Sequence, residues 1–258
     1  MDRVTSADGT EIAWQARGTG PALVIVVGAF CDSSSTRELA DLLDSDFTVY
    51  EYDRRGRGKS GDVGSYSTEK EAQDLAALVS AVGEEDGPFV YGHSSGGIVA
   101  MEAAAGGIPM RGIVAYEPPF TSLDGERNDD VLRAVEGALA ADDPDGAATA
   151  FLRGSGAPAE VVEMMARSAG WAHMRAFAPT LAYELRLCNG GVVPAHRFTA
   201  IQTRLAVLWG GNSPAWASAA AEAVTRVVPG SQSHEVPGQN HAVEHEPIAR
   251  ILRSTFLG

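Results

Sequence analysis

The segment Gly92-His93-Ser94-Ser95-Gly96 restricts the fold of this chain more than any other stretch. It follows the apolar run 89–91 and precedes residues 97–103, most of which are small or apolar, with helical character. This pattern predicts a buried strand, a sharp turn and a helix, and the two glycines avoid clashes in the turn. Such a turn lifts the Ser94 hydroxyl clear of the sheet beside a helix N-terminus, where it can act as a nucleophile. The alternative is a Gly-Ser loop that only caps the helix.

Strands and helices alternate over most of the chain. Strands are predicted at residues 11–17, 22–27, 47–52, 89–91, 112–116, 205–209 and 231–236, and helices at 37–43, 68–82, 215–228 and 243–257. The run 22–27 is apolar throughout, which is typical of a parallel strand that is buried on both faces. The alternation favours a mostly parallel sheet with right-handed crossovers, flanked by helices. We therefore expect an α/β protein.

The alternation stops between residues 120 and 200, where the pattern is helical and rich in alanine. We interpret this segment as a helical cap over the C-terminal edge of the sheet, the edge at which open α/β sheets bind ligands. The expected organisation is a core in two parts, residues 1–119 and 201–258, with the cap insertion at 120–200.

Composition narrows the classes of partner. The chain has 258 residues, 45% of them hydrophobic, which is enough for a packed core without disulfides or metal. The net charge of −14 argues against nucleic-acid and anionic membrane partners. Cys31 and Cys188 are expected to be reduced thiols, and neither a signal peptide nor a membrane-spanning run is recognisable. We expect a cytoplasmic protein that acts on a small molecule, with its oligomeric state open.

Segments 24–30, 53–60, 92–96, 116–119 and 237–241 resemble, in sequence and in order, motifs of the α/β-hydrolase superfamily. The likeness is strongest to small bacterial serine hydrolases with a GHSSG turn and an EPP segment. The resemblance implies the α/β-hydrolase fold and an acyl-enzyme at Ser94, formed from a small, mostly apolar ester, lactone or thioester without a cofactor. Two alternatives stay open: a non-hydrolytic lyase or cyclase, and a catalytically silent ligand-binding module.

The resemblance also implies a base and an orienting acid for Ser94. His241 lies on a turn-forming loop before the last helix, the position of the superfamily's catalytic histidine. The loop that usually holds the acid, residues 210–214, contains no carboxylate. Some members place the acid one strand earlier, and Glu117 follows such a strand, so we assign Glu117 to this role. The alternatives are a structural Glu117 bound to local amides, or a Ser–His dyad oriented by Asn212.

The oxyanion formed during attack needs two backbone N–H donors. The resemblance implies Ser95, at the helix N-terminus, and Ala29, in the loop after an early strand, where Val27 replaces the usual histidine. Residues expected to contact substrate are Phe30, Cys31, Trp171 and Phe177, although aromatic residues such as the last two are more often part of a core.

Two other motif matches are rejected. Residues 57–60 resemble the end of a phosphate-binding loop, but its first glycine is replaced by Asp53, so we expect a structural turn in which Asp53 pairs with an arginine. His241 and His245 match H-x-x-E-H, yet little chain follows to supply a third zinc ligand. We expect no metal.

Overall fold

A mostly parallel sheet forms the centre of the protein, whose computed structural model describes residues 1–121, 123 and 127–258. Its strands are β1 (Asp2–Thr5), β2 (Glu11–Gly18), β3 (Ala22–Val26), β4 (Thr48–Tyr52), β5 (Phe89–His93), β6 (Gly112–Tyr116), β7 (Leu205–Gly210) and β8 (Gln232–Val236). Their order is β1-β2-β4-β3-β5-β6-β7-β8, and β2 pairs antiparallel with β1 and β4. All other pairs are parallel, so β3, β5, β6 and β7 end at the same edge of the sheet.

In chain order the helices are α1 (Arg37–Leu43), α2 (Thr68–Val82), α3 (Ser95–Ala105), α4 (Asp130–Ala140), α5 (Pro144–Gly154), α6 (Ala159–Ala166), α7 (Trp171–Ala176), α8 (Leu181–Leu187), α9 (Ala195–Phe198), α10 (Trp216–Val227) and α11 (His245–Phe256). Helices α1, α2, α3, α10 and α11 flank this sheet on its two faces. Among the described residues, no helix combines the length and the apolar character that crossing a membrane requires.

Strand β3 is buried on both faces, which explains why the unbroken apolar run at residues 22–27 predicts a central strand. Leu23 and Ile25 share a buried cluster with residues of α1 and α11, whereas Val24 and Val26 share another with residues of α2, α3 and α10. Successive side chains of a strand point to opposite faces, so both faces of β3 are covered by helices.

The predicted strands are confirmed to within two residues at their ends, and β1 is the strand that the sequence did not reveal. It has four residues, most of them exposed, and it pairs with β2 at the edge of the sheet. A strand that buries no apolar face carries no alternating pattern, so its formation depends on pairing with its neighbour.

Helices α4 to α9 lie between β6 and β7, in the segment predicted to be a cap. They enclose a buried cluster of their own that includes Val135, Ala147 and Leu181. Helix α8 also packs on α2 and α3 of the core. The ring of Tyr183 in α8 stacks on Tyr66, with centroids 4.0 Å apart and planes 6° apart. The exact domain boundaries stay a prediction.

The expected pairing of Asp53 with an arginine is wrong. Its carboxylate instead accepts backbone N–H groups of Ser33, at 2.9 Å, and Lys59, at 2.8 Å. The turn brings the Lys59 amide back to Asp53, and the segment before α1 supplies the Ser33 amide. Arg55 extends away to Asp74 on α2. The segment is thus a structural turn, as expected, but one that backbone amides stabilise.

Candidate active site

The Ser94 turn, which joins β5 to α3, is tightly packed against the neighbouring strands. Ser94 has φ 55° and ψ −127°, a conformation that is strained for a residue with a side chain. Its N–H donates to the Tyr116 carbonyl over 2.8 Å. A Cβ atom at Gly96 would lie 2.1 Å from the Val26 carbonyl oxygen, so only glycine fits there. The close packing of β3, β5 and β6 around the turn maintains the strained conformation.

Glu117 contacts His241 across the ends of β6 and β7. Its Oε2 atom lies 2.7 Å from His241 Nδ1, while Oε1 accepts the Gly210 N–H over 2.8 Å and the Ser213 hydroxyl. The Glu117 side chain is fully buried, whereas that of His241 is 44% exposed. Because a carboxylate only accepts, Nδ1 carries the proton and Nε2 is left free to accept one.

The environment of Glu117 favours its charged form. Burial alone would raise the pKa of Glu117, but hydrogen bonds from His241, Ser213 and the Gly210 amide outweigh it and hold that pKa below its ordinary value. Glu117 also has a positive φ of 47°. A buried, ionised carboxylate in a strained backbone conformation is typical of a functional position.

The loop that carries His241 is held by two side chains that the sequence analysis did not select. His93 Nε2 lies 2.9 Å from the His241 carbonyl oxygen, and the Tyr116 hydroxyl donates to the Asn240 carbonyl over 2.7 Å. Burial and the neighbouring His241 lower the pKa of His93 to about 4, so its neutral ring donates through Nε2–H. The position of His93 next to Ser94 was the available signal.

The same contacts place His241 beside the Ser94 turn. The ring centroids of His93 and His241 are 5.0 Å apart, and His93 precedes Ser94 directly. In the described residues, no hydrogen bond joins the Ser94 hydroxyl to His241. Catalytic hydrogen bonds often tighten only when substrate binds, so a relay between the two stays a prediction.

The two candidate oxyanion donors flank Ser94. A Cβ atom at Gly28 would lie 2.9 Å from Ser94 Cβ, which shows how closely the loop containing Ala29 approaches the serine. Ser95 is the first residue of α3, where backbone N–H groups have no acceptor within the helix. Their role as oxyanion donors stays a prediction.

The candidate substrate contacts lie in and near the inserted helices. Phe30 packs edge-on against Phe151 of α5, with centroids 5.3 Å apart. Trp171 is 9% exposed and donates from Nε1 to Asp145 over 2.6 Å, and Phe177 is 6% exposed. Burial raises the pKa of the Cys31 thiol, which disfavours a reactive thiolate. Contact of these residues with substrate stays a prediction.

The two histidines of the H-x-x-E-H match have different carboxylate partners. His241 Nδ1 faces Glu117, whereas His245 Nδ1 lies 3.2 Å from Glu38 on α1. Within residues 1–121, 123 and 127–258, no group of three or more His, Cys, Asp or Glu side chains is arranged to hold a metal ion.

Comparison with known proteins identifies the family. The model of the "Alpha/beta hydrolase family" matches residues 23–253, nearly the whole chain. The chain belongs to the alpha/beta hydrolase family. An alpha/beta hydrolase from Sphaerobacter thermophilus has the same fold, with a TM-score of 0.91 and 36% identity over 99% of this chain and 100% of that one. The GHSSG turn, the Glu117–His241 pair and the inserted helices therefore belong to a member of this family.

Curated relatives match part of the chain, and a further solved structure with lower identity matches all of it. N-formylmaleamate deformylase of Pseudomonas putida is 36% identical over 107 residues, 40% of either chain. An esterase from Rhodococcus sp. shares the fold, with a TM-score of 0.74 and 23% identity over 100% of this chain and 99% of that one. The curated relatives are matched over 35% to 46% of their own length.

Replacing His93 with leucine tests its support of His241. Leucine is apolar and leaves the His241 carbonyl without its donor. We expect kcat/KM for an acyl ester to fall about tenfold, because a loosened imidazole spends less time in the reactive geometry. His93→Gln, whose side-chain N–H can reach the same carbonyl, is expected to recover most of the activity. Equal activity of the leucine and wild-type proteins would show that this contact is dispensable.

Stability is expected to depend on pH through His93. Its pKa is lowered from 6.5 to about 4 in the folded protein, so the unfolded chain binds the extra proton between these values. The free energy of unfolding therefore falls as pH drops from 6.5 to 4, by up to about 3 kcal/mol from this group. Urea unfolding at pH 7, 5.5 and 4 should give a shallower pH dependence for His93→Gln. Parallel curves would contradict the assignment.

Proposed function

We propose that this protein is a serine hydrolase that cleaves a small, mostly apolar ester, lactone or thioester through an acyl-enzyme at Ser94. The observation that carries the proposal is the buried Glu117 carboxylate on His241 Nδ1, beside the strained Ser94 turn. In the proposed triad the His241 imidazole relays between Ser94, the nucleophile, and Glu117, the orienting acid, as acyl transfer requires.

In the proposed reaction, Ser94 Oγ attacks the acyl carbon while His241 Nε2 takes its proton. Glu117 holds the imidazole in the correct tautomer and stabilises its positive charge. The carbonyl oxygen becomes an oxyanion and accepts the N–H groups of Ala29 and Ser95. His241 then protonates the leaving alcohol or thiol. A water molecule, deprotonated by His241, then attacks the acyl carbon. The bond from that carbon to Ser94 Oγ breaks, His241 returns the proton to Ser94 Oγ, and the acid is released.

The residues around the candidate site favour a substrate with an apolar acyl group. Ala29 and Phe30 pack against the apolar cluster of the inserted helices, which includes Leu181. The net charge of −14 disfavours strongly anionic substrates. The deformylase and the alpha/beta hydrolase among the relatives support hydrolysis as the reaction, and their different names leave the substrate to experiment.

The direct test is labelling of the wild-type protein with a fluorophosphonate, followed by peptide mapping by mass spectrometry. We expect one adduct, on the peptide that contains Ser94, and turnover of p-nitrophenyl acetate and butyrate. Labelling without turnover of any ester, lactone or thioester would favour a non-hydrolytic enzyme. Absence of labelling would favour a ligand-binding module.

A further inference from the structure

A buried carboxylate on the inserted helix α8 contacts the residue that follows Ser94 and two arginines of the turn after β4. Glu184, 2% exposed, accepts hydrogen bonds from Arg57 Nη2 and from the Ser95 hydroxyl, and Arg54 Nη1 lies 3.3 Å from its Oε2. We call Arg54, Arg57, Ser95 and Glu184 the Glu184 network. Its members come from three separate parts of the chain, and each is almost fully buried.

The arginines of the network hold the loop that carries one candidate oxyanion donor. Arg57 Nη1 donates to the carbonyls of Gly28, at 2.7 Å, and Cys31, at 3.1 Å. Arg54 Nη1 donates to the carbonyl of Val27 over 3.0 Å. The Gly28 carbonyl belongs to the same planar peptide group as the Ala29 N–H, so the hydrogen bond from Arg57 restricts the orientation of that N–H.

The other candidate donor is tied to the same carboxylate. The Ser95 hydroxyl donates to Glu184 Oε2, and the backbone N–H of Ser95 is the second candidate oxyanion donor. One carboxylate therefore connects to Ser95 directly and to the Ala29 loop through Arg57. A displacement of Glu184 would therefore act on both segments that carry the candidate donors.

Arg54 and Arg57 each have a carboxylate partner in this buried region. Glu71 pairs with Arg54 through both of its oxygens, at 2.6 and 3.1 Å. Glu184 is the carboxylate that contacts Arg57. A buried, unpaired guanidinium is strongly unfavourable, so loss of the Glu184 charge would force Arg57 to move or to recruit water.

We propose that Glu184 is a positioning residue, which sets the geometry of the oxyanion hole from the inserted helix through Arg57 and Ser95. The proposal rests on the proposed function. Docking of α8 on the core, seen in the stacking of Tyr183 on Tyr66, would thereby be a condition for full activity.

Glu184→Gln is the first test, because glutamine keeps the size and an acceptor oxygen but removes the charge. We expect kcat on p-nitrophenyl butyrate to fall about 10- to 100-fold while KM changes less than about threefold. Displaced donors weaken transition-state stabilisation more than substrate binding. Rates are expressed per active site, counted by fluorophosphonate titration, so that unfolded protein does not contribute.

A tetrahedral adduct gives a readout that loss of stability alone would not change. A trifluoromethyl ketone with the substrate's acyl chain forms a hemiketal oxyanion with Ser94, so its Ki should rise in parallel with the fall in kcat/KM. The corresponding alcohol, which forms no oxyanion, should bind the variant and the wild type equally.

Ser95→Ala and Glu136→Gln complete the experiment. Ser95→Ala removes the hydroxyl that donates to Glu184 but keeps the backbone N–H at position 95. We expect it to lower kcat about 3- to 10-fold. If Glu184→Gln does not fold, Ser95→Ala alone tests whether the Glu184 network supports catalysis. Glu136→Gln neutralises the exposed carboxylate that pairs with Arg186 on α8, and kcat should stay at the wild-type value.

Wild-type kcat and Ki in both network variants, with only a lower Tm, would overturn the proposal and leave Glu184 as an anchor of the insertion. A raised KM at unchanged kcat would overturn it as well. A wild-type protein that neither labels nor turns over acyl substrates would refute the proposed function, and this inference with it.

Discussion

Replacing Ser94 with alanine is expected to abolish fluorophosphonate labelling and to lower kcat on p-nitrophenyl acetate by at least about 10⁴-fold. Ser94 is the residue that the strained turn exposes between β5 and α3. The neighbouring Ser95 cannot replace it, because the Ser95 hydroxyl is buried and donates to Glu184. Labelling is measured by intact-protein mass and turnover by release of p-nitrophenol.

The substitution leaves the rest of the turn in place. Alanine at φ 55° is as strained as serine, so the Tm should stay close to that of the wild type. Ser168→Ala, at an exposed serine in the insertion, serves as the matched control and should keep full labelling. Turnover by Ser94→Ala above a tenth of the wild-type rate would place the chemistry on another residue.

Replacing Glu117 with glutamine is expected to lower kcat by about 10³- to 10⁴-fold with little change in KM. The Gly210 N–H and the Ser213 hydroxyl should continue to bind the remaining carbonyl oxygen. The new amide would then face His241 Nδ1. Since the amide donates, Nδ1 must accept, the ring proton moves to Nε2, and His241 can no longer take a proton from Ser94.

Asn212→Ala is the matched control for Glu117, since it tests the alternative dyad. The Asn212 side chain donates to the Gly238 carbonyl over 2.9 Å, on the loop that precedes His241, rather than to the imidazole. We expect kcat to change less than about threefold. A larger loss in Asn212→Ala than in Glu117→Gln would contradict the assignment of Glu117. Both variants are compared at pH 8 by steady-state kinetics.

Much of the fold was readable because local patterns encode it. The apolar run of β3, the turn at Ser94 and the order of the motifs are properties of neighbouring residues. Two features of the sequence indicate Glu117: the usual acid loop has no carboxylate, and a charged residue at the end of a buried strand needs a partner. The structure provides that partner in His241.

Contacts between segments that are distant in the sequence could not be predicted from local patterns. Asp53 was expected to bind an arginine, yet backbone amides occupy its carboxylate, because the path of the turn decides which donors reach it. The sequence does not predict a role for His93, because its donation to the His241 carbonyl depends on a loop 148 residues away. Glu184 is one of many acidic residues in a helical segment, and nothing local marks it as buried.

The residues alone thus specify a strand–turn–helix unit around Ser94 and a mostly parallel sheet, since both arise from side-chain periodicity and backbone preferences over short distances. The placement of β6 between β5 and β7 decides that Glu117 is the carboxylate that faces His241. The docking of α8 decides that Glu184 contacts Ser95. Those pairings join groups 124 and 89 residues apart, and burial of the whole core, rather than any local preference, brings them into contact.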